Sequence, residues 1–118
     1  MGTISHDALI VETFSKEAAE AARNAVIDVA RSISAEDTAK FDGDWTSLVG
    51  PLMGGIVNGH VFFMIAPDGS KEGWDTSDRG DRFRQQAVEA IKALKSCVQI
   101  VTVRWGELGE QISAGWSE

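Results

Sequence analysis

The chain has 118 residues, 43% of them hydrophobic and 25% charged, which is the composition of one globular domain able to bury a core. Its net charge of −7 leaves no basic stripe for phosphate contacts, so direct nucleic-acid binding is not expected. No apolar run approaches the roughly 18 residues of a membrane span. Met1 to Asp7 lacks the basic cluster and apolar core of a secretory signal. A single cysteine, Cys97, cannot form an internal disulfide and offers too few thiolates for structural zinc. It reads as a small buried hydrophobe at the start of a strand in a protein of the reducing cytoplasm. No metal or cofactor is called for by any spacing in the chain.

Ala8 to Phe14 is rich in β-formers and reads as a first strand. Ser15 suits a helix cap and Glu17 the first turn of the helix that follows. From Lys16 to Ile33, Ala18, Ala22, Ala25, Val26, Val29 and Ile33 recur at helical spacing, and the alanines would let this helix lie close to a sheet. Ser34-Ala35-Glu36-Asp37 has a capping-box pattern that could open one further turn through Lys40. Phe41 to Trp45 reads as a turn with two aromatic anchors. Thr46 to Val57 is a less regular second strand, demoted to an edge by Gly50, Pro51, Gly54 and Gly55.

Asn58-Gly59 is a hairpin signal, since both residues tolerate the positive φ of a type I′ turn. The third strand, His60 to Ala66, stops at Pro67-Asp68-Gly69. Asp78 then caps a second helix running to Lys95, with Phe83, Ala87, Ala90, Ile91 and Leu94 on one face. The fourth strand is Cys97 to Trp105, and the tail from Gly106 either adds a short strand or covers a surface. The order β-α-β-β-α-β predicts an α+β, ferredoxin-like sandwich of 118 residues in one domain. Its four strands would form an antiparallel sheet with two helices on one face.

Such a sheet should alternate apolar and polar residues, yet these strands are apolar on both sides. His60, Phe62 and Met64 oppose Val61, Phe63 and Ile65. Val101, Val103 and Trp105 oppose Val98 and Ile100, and Leu9 and Val11 oppose Ile10 and Phe14. A patch of that kind calls for a cover. Three are open: a second copy of the chain, the 41–55 segment with the tail (Trp45, Leu52 and Trp116), or a different protein. A homodimer through the apolar sheet face is the expected state.

The stretch 66–83 is a long acidic loop with Trp74 at its centre, and loops of this length are usually functional or disordered. Counted from Asp68 it imitates a calcium loop as far as Gly73, but Arg79 stands where the bidentate acid belongs. Arg79, Arg82 and Arg84 with Gly80 could receive an anion at the helix start, opposed there by Asp78 and Asp81; ion pairs within the helix and with the loop are the expected use of these arginines. Trp74 either pins the loop or anchors a partner.

Size and acidity suit a non-enzymatic protein-interaction module, a small inhibitor or adaptor of the phage, prophage or accessory-gene type. Its binding residues would be Trp74, Asp75, Asp78, Arg79 and His60. One alternative is a nucleotide- or metabolite-binding domain, its ligand lodged between Gly50–Gly55, His60 and the 68–81 loop. Another is a small enzyme using His60 with Asp75 or Asp78.

Overall fold

The computed structural model describes residues 5–35, 44–69, 75–96, 98–106 and 111–117, of which residues 5, 75–77 and 111–117 are described by backbone alone. In chain order these form β1 (Ser5–Thr13), α1 (Lys16–Ala35), a 3-10 turn (Trp45–Leu48), β2 (Met53–Gly54), β3 (Val61–Ile65), α2 (Asp75–Ala93), β4 (Gln99–Gly106) and β5 (Gln111–Ser117). The architecture is α+β: one antiparallel sheet in the order β2-β3-β1-β4-β5, with two helices. The tail therefore extends the four expected strands by a fifth rather than folding back over them. Among the described residues no helix is long and apolar enough to cross a membrane.

β1 holds the centre, paired with β3 on one side (Leu9 with Ile65, Val11 with Phe63) and β4 on the other (Val11 with Ile100). Strand alternation then sends Leu9, Val11, Phe63, Ile65 and Ile100 to one face. All of them are buried in a single core with Ala22, Val26, Ala30 and Ile33 of α1 and Phe83, Ala87 and Ile91 of α2. α1 forms as its spacing predicts. The Ser15 hydroxyl accepts the Ala18 N–H at 3.2 Å, and small alanines let the helix approach the sheet closely.

The region after α1 departs from expectation. Ser34 remains inside α1, and its hydroxyl accepts the Trp45 N–H at 3.0 Å, tying the helix end to the next element. The proposed turn through Lys40 and the Phe41–Gly43 stretch lie outside the described residues. Asp44 caps the 3-10 turn by accepting the Thr46 N–H at 3.0 Å. Hydrogen bonds from the Thr46 side chain and backbone hold the Asp44 carboxyl below its ordinary value.

The long second strand contracts to two residues, Met53–Gly54, facing Phe62 and Val61. Pro51 has no N–H to give a ladder, and Val49 makes only an isolated bridge to Ile65. Arg23 of α1 instead takes up this segment, donating from Nε to the Gly50 carbonyl at 2.8 Å. The hairpin that follows closes with the His60 N–H on the Val57 carbonyl at 3.1 Å. It is not a type I′ turn: Gly59 has φ 87°, and Asn58 is not among the residues with positive φ.

α2 begins at Asp75, three residues before the expected cap, so Asp78 lies inside its first turn. The helix ends at Ala93, and Lys95 takes the left-handed conformation, φ 54°, as its N–H reaches the Lys92 carbonyl at 3.1 Å. Glycine is the usual residue at such a helix end, because a Cβ there is strained. Lys95→Gly should raise stability by about 0.5–1 kcal/mol in urea denaturation, the strain relieved outweighing the extra freedom of the unfolded chain.

Candidate functional site

Alternation along the strands leaves one face of the sheet without a helix among the described residues. It carries His6, Ala8, Ile10, Glu12 and Phe14 from β1 and the residue after it. β3 and its approach add His60, Phe62 and Met64, β4 adds Gln99, Val101, Val103 and Trp105, and β2 adds Met53. Ile10 pairs with both Met64 and Val101, which sets apolar side chains in a row across three strands. Met64 is 41% exposed, Met53 52% and Phe14 66%, while Ile56 and Val57 stand exposed on the adjoining hairpin.

Ionisable groups are few on this face. Glu12 is one, and its Oε2 lies 3.1 Å from Nε2 of His60. The His60 ring stacks on Phe14 at 4.9 Å and tilts against Phe62 at 5.6 Å. At the other end His6 and Trp105 meet at 5.3 Å. A cleft of about 610 Å³ opens beside Glu12 and Phe14, walled by Thr13, Ser15, Ser96, Val98 and Gln99.

Trp45 and Leu52 do not supply the expected intramolecular cover. Trp45 is buried in the helix-side core, its ring edge-on to Phe83 at 5.8 Å, and Leu52 packs against the same core. Trp116 belongs to β5, where the register sets it opposite Val101 within the sheet.

The expected site residues divide between two places. His60 sits on the open face at the Thr13 end of β1. Asp75 opens α2, with its side chain outside the description; Asp78 is exposed and Arg79 half-buried on the next residues. This helix start lies beside Asp68, beyond the Leu9–Ile65 pair, at the opposite end of β1 and on the opposite face. His60 therefore meets Glu12, not Asp78; of the suggested pocket between Gly50–Gly55, His60 and the 68–81 loop, His60 lies against Gly55, while residues 70–74 of the loop fall outside the described residues. Trp74 and residues 70–73 lie outside the described residues.

At the α2 end the structure builds a charged network. Arg84 reaches Asp68 at 3.0 Å, Asp81 at 2.8 Å and Asp7 at 3.7 Å. Asp7 also accepts from Arg104, at 2.7 Å from Nε and 3.3 Å from the second guanidinium arm. The anion that Gly80 admits to the helix start is thus the protein's own Asp68, against whose carboxylate a Cβ on Gly80 would collide. This network joins positions 7, 68, 81, 84 and 104; the pairs of Arg84 with Asp81 in the helix and Asp68 in the loop are of the kind expected for these arginines, whereas the links through Asp7 and Arg104 have no local signal in the sequence.

No protein-family model, curated protein or solved structure matches the chain. The site has therefore to be interpreted from its own geometry. That geometry offers a broad apolar platform with, among the described residues, one histidine–carboxylate pair and, at the far end, carboxylates paired with arginine.

Proposed function

We propose that this chain is a non-enzymatic protein-interaction module, a small inhibitor or adaptor of the phage or accessory-gene type, that associates with a second copy through the open apolar face of its sheet. The observation that carries this reading is the exposed row Ile10, Met64 and Met53, continued by Phe14 and the Ile56–Val57 hairpin. Contiguous apolar surface of several hundred Å² is seldom left bare on a soluble monomer. Scarcity of charge within the patch is the usual character of an interface centre, and it is pronounced in a chain of net charge −7. Two-fold pairing of identical faces is the commonest way such a surface is closed.

The same reading takes the fold as a ferredoxin-like sandwich with one strand added at its edge. Support comes from the order β4-β1-β3-β2 and from both helices sharing one core on one side of the sheet.

Light scattering at micromolar concentration should give a mass above that of one 12.7 kDa chain. Met53→Lys combined with Met64→Lys should lower that mass and weaken association by at least about tenfold. The melting transition should stay cooperative, because both side chains are exposed in the single chain. A strictly monomeric parent protein, or a doubly substituted one of unchanged mass, overturns the reading.

A further inference from the structure

The two edges of the sheet are treated differently by the sequence. β2 is two residues long, follows Pro51 and is flanked by Gly50 and Gly55, which leaves little ladder for another strand to extend. Edge strands are commonly protected in this way, by shortness and proline, or by lysine and other charges. β5, at the opposite edge, runs for seven residues, Gln111 to Ser117, with no proline and no charged residue. Among the described residues it pairs only with β4, so its outer row of backbone N–H and C=O groups faces away from the sheet.

We propose that this outer edge of β5 pairs antiparallel with β5 of a second copy, about a two-fold axis at Gly115. The register of β5 supports the position of the axis. A shift in pairing falls between Arg104 and Trp105, opposite the start of β5, so the regular ladder is Ser113–Ser117. Only an axis at Gly115 uses all of that ladder. It sets Ser113 opposite Ser117 and Ala114 opposite Trp116, a small residue against a large one and a hydroxyl against a hydroxyl.

Opposed residues in a ladder share a face, so this register also keeps Ala114 and Trp116 of both copies on the side of Val103 and Val101. The occupant is a second copy because the ladder is self-complementary and uncharged, so two chains of net charge −7 meet along a neutral line.

This contact is distinct from the sheet-face contact proposed above. Its two-fold axis stands perpendicular to the sheet, so it joins two five-stranded sheets into one of ten and leaves both apolar faces on the same side. With both contacts made, four chains close as two such sheets packed face to face, the symmetry that commonly follows simple dimers.

The test places Ser113→Cys and Ser117→Cys together in a Cys97→Ser background. Within one strand these positions are roughly 13 Å apart, beyond disulfide reach, so a bond between them must join two chains. Mild oxidation should give a covalent dimer on a non-reducing gel, and it should still form when Met53→Lys and Met64→Lys are added.

In the protein without substitutions, β5 amides should gain protection from hydrogen exchange as concentration rises. Absence of the covalent dimer in a folded chain, or β5 exchange independent of concentration, overturns the edge contact. Either result leaves the sheet-face reading standing if Met53→Lys with Met64→Lys still lowers the mass.

Discussion

Gly80→Ala should destabilise the protein by about 2 kcal/mol, although the same change in an ordinary helix interior stabilises by about 1 kcal/mol. A Cβ at position 80 would strike the Asp68 carboxylate and lie 3.3 Å from the Arg84 guanidinium. Asp68 can turn away only by leaving Arg84, and that pair is 3.0 Å apart with side chains 9% and 11% exposed. Separating charges so nearly buried costs several kcal/mol, which exceeds the gain in helix propensity. The melting temperature should fall by about 8 °C, at roughly 4 °C per kcal/mol for a domain of this size. The decisive measurement is a double-substitution cycle. In an Asp68→Ala background the obstruction is gone, and adding Gly80→Ala should then stabilise. An unchanged sign would show that Asp68 is not what holds position 80 empty.

Phe83→Ala should cost more, about 4 kcal/mol, and leave a domain of ordinary stability close to unfolding. Phe83 is fully buried at the meeting of α2, α1 and the 3-10 turn, where Trp45 presses edge-on against it at an interplanar angle of 68°. Removing the ring deletes buried apolar surface and takes away the surface that seats Trp45. The indole N–H of Trp45 is buried with no hydrogen-bond partner among the described residues. Urea denaturation of Phe83→Ala beside Phe83→Leu checks the assignment. The leucine variant should lose far less, because it refills most of the volume. Equal and small losses in both would remove Phe83 from the centre of the core.

The elements that the chain displays most clearly in sequence are those whose residues all serve one purpose. α1 shows its buried stripe at Ala22, Val26 and Ile33, and β1, β3 and β4 show runs of β-formers bounded by turns. Between them the signals compete. Thr46 to Val57 looked like a strand, but Pro51 and the paired glycines yield one short pairing and Trp45–Leu48 coils instead. The start of α2 was misplaced because Asp75, Thr76, Ser77 and Asp78 can all cap a helix, and propensity does not rank them. The two-sided apolar pattern announced the open face directly, since period two in a strand is a statement about faces. The charged network is legible only in part. Arg84 with Asp81 and Asp68 is a local pairing, but Asp7 and Arg104 look like solvated charges until the register of β1 with β4 brings distant parts of the chain together.

The central place of β1 has a consequence for how the molecule comes into being. β1 precedes the other described strands in the chain, yet both halves of the sheet must flank it, and its Asp7 closes on Arg104 across 97 residues of chain. Every sheet contact of β1 therefore waits on a segment made much later, and long loops must be closed before any of that pairing is rewarded. Folding should be slow for a protein of this length, in the millisecond-to-second range of topologies dominated by distant pairing. Until β3 arrives β1 is unpaired on both edges, and until β4 arrives one edge of this apolar strand stays open to capture by any other strand or chaperone.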